Sequence, residues 1–163
     1  MMNQLEKRIQ AANLIYRKNK TAIISKVEVP ILVTNKGLIP RQSTVDFTGI
    51  YKKDIVKRVY PYPDEYIDTV GQGIAFDAKE TLSKTSFPLA NIKQHQLVFL
   101  EYFEECGGTA FFLIHFKKLH ADQAFVTPLD FIKKCIRKSL PYGEFAQKWL
   151  TDIDNYLKYF NGL

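Results

Sequence analysis

The sequence predicts a single α/β domain, a mixed β-sheet flanked by helices. Three observations predict it. Apolar residues recur at helical spacing near the start, at Leu5, Ile9, Ala12 and Tyr16. Segments of strand length rich in Ile, Val and Phe follow, among them TAIISKVEVPILV, GIAFDAKE and TAFFLIHF. The 163 residues, 46% of them hydrophobic, suffice for one core and are too few for two comfortable ones.

The elements follow in order. Residues 3–18 read as an amphipathic helix. TAIISKVEVPILV reads as a strand and its continuation, broken at Pro30. TNKGLIPRQ, with Lys36, Gly37, Pro40 and Arg41, reads as a basic loop or protrusion between strands. STVDFTGIYKKDIVKRVY returns to strand propensity with a turn near Thr48-Gly49, and YPYPDEYIDTVGQG reads as a surface excursion. GIAFDAKE is then a short strand, and TLSKTSFPL a loop into a helix from about 89 to 105. That helix is closed by Cys106-Gly107-Gly108, glycine being the usual residue just past a helix end. TAFFLIHF has the continuous apolar character of a strand buried on both faces. QAFVTPLDF opens with a further strand, and the remaining chain reads as mostly helical.

No run approaches the roughly 20 apolar residues that span a bilayer. MMNQLEKRIQ lacks the apolar core of a signal peptide. Cys106 and Cys135 have neither C-x-x-C spacing nor a histidine pattern, which reads as buried thiols in a cytoplasmic protein. The net charge of +6 suggests a polyanionic partner, and the cations gather at 17–20, 52–53, 57–58 and 133–138.

Several chemistries are excluded. The chain has neither G-x-x-x-x-G-K-[ST] nor G-x-G-x-x-G, and no G-x-S-x-G nucleophile turn. His95, His115 and His120 lack zinc-ligand pairings, and His115 within FFLIHF reads as a hydrogen-bonded strand histidine. What remains is Asp46, Asp77 and Lys79. The i, i+2 spacing of Asp77 and Lys79 places both on one face of a strand. If the strands holding Asp46 and Asp77 pair, two carboxylates converge where Mg²⁺ or Mn²⁺ could sit. Spacing alone is also satisfied by an exposed ion pair worth about 0–1 kcal/mol.

Longer motifs carry a resemblance. Asp46 followed by Asp77-Ala78-Lys79 resembles the PD-(D/E)xK nuclease signature without its proline. LEKRIQAANLIY, RQSTVDFTGIY, FDAKETLSKTSFPLANIKQHQ and, weakly, IRKSLPYGEF resemble the RecU family of Holliday junction resolvases. The third block, AKET with KTSFPL and then a helix bearing HQ, is the most specific.

The resemblance implies a restriction-endonuclease-like fold and a homodimer. It implies paired symmetric nicks in four-way DNA junctions with Mg²⁺ or Mn²⁺, in recombination and repair. Asp46 matches the family's first metal-binding aspartate, Asp77 stands where glutamate is usual, and Lys79 matches the catalytic lysine. Gln96 matches a glutamine near the active site, Glu6 an acidic position on the first helix, and Thr44 a position at the metal or scissile phosphate. Lys84, Thr85 and Ser86 resemble a phosphate-gripping loop, and Lys36, Arg41, Lys52 and Lys53 are candidate DNA contacts.

The expected organisation is one nuclease domain over 1–163. It carries a short protruding loop near 30–42, where the family has a long stalk, and an inserted excursion near 57–73. Branched DNA and recombination proteins are the expected partners, and a bacterial or phage-infected cytoplasm the location. Two readings compete: a structure-selective nuclease acting on other branched or duplex DNA, and a non-catalytic basic protein that binds DNA or modulates recombination.

Overall fold

The computed structural model describes residues 3–29, 31–35, 37–40, 43–58, 65–145 and 149–160. Helix α1 (Gln4–Lys18) starts where the Asn3 side chain accepts the Glu6 backbone N–H at 2.8 Å, satisfying one of the free amides of the first turn. It ends in a paired C-terminal cap. Thr21 N–H donates to the Tyr16 carbonyl at 3.0 Å and Lys20 N–H to the Arg17 carbonyl at 3.1 Å. This cap places Lys20 in the left-handed region at φ 59°, a position where glycine is the usual residue.

Strand β1 (Ala22–Lys26) follows, then a small antiparallel hairpin of β2 (Ile31–Thr34) and β3 (Gly37–Pro40). The segment expected as a loop near 30–42 is therefore largely paired, with Gly37 at φ 117° in the turn. Strands β4 (Phe47–Arg58) and β5 (Glu65–Thr81) are long antiparallel partners, in register from Phe47 opposite Phe76 to Arg58 opposite Glu65. The expected excursion is mostly a continuation of these two strands, so the short strand GIAFDAKE is the end of a 17-residue one. Alternating Ile, Val and Lys through DIVKR and Tyr, Ile and Val through EYIDTV keep both chains extended. Residues 59–64 of the expected excursion lie outside the described residues.

After β5 come β6 (Ser86–Pro88), a 3₁₀ turn over Leu89–Asn91 and helix α2 (Gln94–Glu105). Gly107, at φ 87°, reverses the chain into β7 (Thr109–Phe116), which runs parallel to β5. Helix α2 is thus the crossover that a parallel pair requires. Strand β8 (Gln123–Thr127), α3 (Leu129–Lys133), β9 (Ser139–Pro141), α4 (Tyr142–Phe145) and β10 (Leu150–Asp152) precede a kinked 3₁₀ segment over Ile153–Phe160. The end of the chain is therefore less helical than its sequence suggests. Leu150–Asp152 pairs with β8, and LTD is too short to show a strand period.

Among the described residues six strands form one mixed sheet in the order β1-β4-β5-β7-β8-β10. Side chains alternate across it. On one face Ile24, Phe47, Tyr51, Phe76, Ala78, Phe111 and Leu113 pack under α1 and the C-terminal 3₁₀ segment. Phe47, Phe76 and Phe111 stack in a row, with ring centroids 5.0 and 4.8 Å apart. On the other face Val45, Ala75, Phe112 and Ile114 pack under Leu100 of α2 and under Phe87, Leu129 and Phe145. Two expectations are corrected: Cys106 is exposed and Cys135 half-buried, neither belonging to the fully buried core. No described helix is long and apolar enough to cross a membrane.

Candidate active site

The site lies where β4 begins and β5 nears its end. Alternation in β5 puts Phe76 and Ala78 into the α1 side and turns Ala75, Asp77 and Lys79 toward α2. Asp77 is 0% exposed. Gln96, in the first turn of α2, donates from Nε2 to Asp77 Oδ1 at 2.7 Å, and its own Oε1 accepts the Lys93 backbone N–H at 3.2 Å. The amide is thereby oriented by the helix start and in turn orients the carboxylate. No hydrogen-bond donor among the described residues is aligned on Asp77 Oδ2. Its close neighbour is the Lys79 ammonium, at 2.5 Å.

Asp46 is one residue before β4, in line with Asp77 if the β4–β5 register is continued. Its Oδ2 accepts the Ala78 backbone N–H at 3.0 Å, which fixes it beside Asp77. Asp77 is pushed up to about 7, first by burial and second by the negative charge of Asp46, with Lys79 opposing both. Two carboxylates at one point, one of them buried, make a poor place for two uncompensated negative charges and a good one for a hard cation. Among the described residues no cluster of three or more His, Cys, Asp or Glu could hold a metal. A two-carboxylate site still suits Mg²⁺ or Mn²⁺, since Mg²⁺ keeps several waters and is often held by one or two carboxylates plus substrate phosphate.

The structure brings together Asp46, Asp77, Lys79 and Gln96. It does not bring Glu6 to them. Glu6 is paired with Lys26 and accepts from Asn3 Nδ2 at 3.1 Å. Lys26 stands opposite Phe47 in the β1–β4 register, on the α1 side of the sheet, whereas Asp77 points to the α2 side. Thr44 is exposed, two residues before Asp46. Lys84 and Thr85 are exposed in a turn after β5, whose backbone is held by the Ser83 hydroxyl accepting the Thr85 and Ser86 amides, each at 3.2 Å. Lys52 is exposed and Lys53 half-buried midway along β4, six and seven residues past Asp46. Lys36 and Arg41 lie outside the described residues. Sequence reasoning missed the Ala78 amide that holds Asp46, because a backbone donor leaves no mark in side-chain pattern. His115, as expected, is a bonded strand histidine: Nε2 meets the His120 carbonyl at 2.7 Å and Nδ1 meets Glu80 at 3.3 Å.

Residues 65–163, more than half of the chain, match the family model described as Recombination protein U. The chain belongs to the RecU family. Curated relatives named Holliday junction resolvase RecU, from Staphylococcus epidermidis and Staphylococcus aureus, are 30% identical to it over 166 aligned positions. These alignments cover 94% of the chain and 64% of each relative. The RecU match takes in Asp77, Lys79 and Gln96 and begins after Asp46 and α1.

Proposed function

We propose that this RecU-family chain is a Mg²⁺- or Mn²⁺-dependent endonuclease that resolves four-way DNA junctions as a homodimer, in the cytoplasm. The observation that carries the reading is the convergence of Asp46, Asp77 and Lys79 at one buried point, with Gln96 fixing Asp77. The names of the staphylococcal relatives support the junction as substrate.

Asp46 and Asp77 would hold the cation, which when bound supplies Lewis-acid stabilisation of phosphate charge and a more acidic water. The chain's own residues do the rest. Gln96 and the Ala78 amide hold the two carboxylates in one arrangement before substrate arrives, so no reorganisation accompanies the reaction. Lys79, only partly exposed, places a positive charge beside the carboxylates, where negative charge grows on the phosphate. The turn of Lys84 and Thr85, with Lys52 midway along β4, offers cations and donors to the backbone, which position DNA without reading its sequence. A two-fold dimer would present two such sites to the two-fold symmetry of a junction.

The test compares cleavage of a four-way junction, a flap and a linear duplex at one salt concentration in Mg²⁺. Preferential paired nicking of the junction is expected. Equal rates on all three would overturn the resolvase reading in favour of a less selective nuclease.

A further inference from the structure

The sheet face that carries the site is only partly covered. Helix α2 lies over β5 and β7, with Phe103 close against Gly73 and Gly108. Toward β1 the same face is open. Ile24 and Tyr51 point to the α1 side, so Ile23, Ile50 and Lys52 point to the side of Asp77, and Ile23 and Ile50 are 58% and 48% exposed. Gly71 makes room there, since a Cβ at that position would lie 2.8 Å from Ile50 Cδ1. The open strip runs along β4 from Asp46 to Lys52 and ends in a cavity of about 420 Å³ lined by Arg17, Lys20, Ile23, Ile50 and Lys52.

The three cations of this cavity are exposed, and none forms an ion pair with a described residue. Among the described residues no carboxylate lines the cavity. By contrast Arg8, Lys26, Lys117, Lys133 and Arg137 all have acidic partners. Lys20 adds an independent sign. It occupies the left-handed cap position of α1, which glycine fills with less strain, so the chain keeps a long cation where its backbone disfavours one.

We propose that Arg17, Lys20 and Lys52 grip the phosphate backbone of the DNA arm that leaves the active site, at a point set by the run of chain from Asp46 to Lys52. The six residues from Asp46 to Lys52 span about 20 Å of extended strand. At roughly 3.4 Å per base pair this is about six base pairs from the scissile phosphate. The grip rests on the nuclease reading above and adds to it where along the arm the protein holds. The exposed Ile23 and Ile50 form the floor over which the arm passes, and their contacts carry no sequence information.

The experiment measures binding of a four-way junction in Ca²⁺ across a salt series, for wild type and for the triple variant Arg17→Gln, Lys20→Gln, Lys52→Gln. Removing three phosphate contacts per protomer should lower the slope of log K against log salt by about 2.7 for each protomer engaged on the junction, and weaken binding at low salt on the order of 10- to 100-fold. Ethylation of phosphates about six base pairs from the nick should interfere with binding by wild type and not by the variant. Unchanged slope and affinity in the variant, beside a wild type that binds and nicks junctions in Mg²⁺, would overturn the grip alone. A wild type that neither binds nor nicks DNA would overturn the nuclease reading instead. If the variant weakens binding only because light scattering shows its dimer lost, the strip is a protein–protein surface and the proposal falls.

Discussion

Replacing Asp77 by asparagine should stabilise the metal-free protein at high pH while removing one of the two carboxylates proposed to hold the cation. Asp77 titrates near 7 in the fold against 3.8 ordinarily, first because it is buried and second because Asp46 is beside it. In the folded state the charged form is therefore the disfavoured one. The penalty is absent below the unfolded value, grows as pH rises from about 4, and is complete above about 7. At about 1.36 kcal/mol per pH unit, its ceiling is about 4 kcal/mol. Asparagine keeps the shape and the Gln96 contact, and the loss of the Lys79 attraction is already contained in the net shift; its amide Nδ2, a donor facing the Lys79 ammonium in place of Oδ2, takes back about 1–2 kcal/mol. The net expectation is a gain of about 2–3 kcal/mol at pH 8 and none, or a small loss, at pH 5. For a chain of this size that is a rise in Tm of roughly 4–12 °C at pH 8. Urea denaturation of both proteins in EDTA at pH 5 and pH 8 measures it. If the two differ by the same amount at both pH values, Asp77 is not held against its charge and the electrostatic reasoning fails.

Other perturbations have equally definite outcomes. Gln96→Leu removes the donor to Asp77 Oδ1 and should cost about 1–3 kcal/mol in urea denaturation and lower the nicking rate about 10- to 100-fold. Lys20→Gly relieves the left-handed cap and should raise stability by about 1 kcal/mol; a loss of stability would mean the lysine stem packs more than its backbone strains. Gly49→Ala would set a Cβ 2.1 Å from the Ile23 carbonyl oxygen, a backbone atom with no room to yield. It should loosen β1 from β4 and destabilise by about 3 kcal/mol, read as faster amide exchange in β1 before any other strand.

Much of this molecule was legible in its sequence. The helical repeat of Leu5, Ile9, Ala12 and Tyr16 gave α1 to within a residue, and FDAKE gave the face shared by Asp77 and Lys79. Asp46 was legible as a partner only on the condition that its strand pairs with that of Asp77, because its placement depends on the β4–β5 register and on a backbone amide. The long pairing of β4 with β5 was hidden because prolines and acids near residues 61–65 read as an excursion, although the flanking β-branched residues carry the strands onward. Glu6 entered only through the resemblance, since nothing in the residues around it shows which face of the sheet its carboxylate serves; in the structure it pairs with Lys26 on the α1 side. Arg17 and Lys20 stood out only as a charge run, since nothing in sequence shows that they share a cavity with Lys52.

The central claim is that Asp46 and Asp77 together make the site of DNA scission. Its most direct measurement is cleavage of a labelled four-way junction in Mg²⁺ by wild type, Asp46→Asn and Asp77→Asn, with junction binding followed in Ca²⁺. The account predicts nicking by wild type, loss of nicking in both variants, and binding retained in all three. Nicking by Asp77→Asn at the wild-type rate would contradict it.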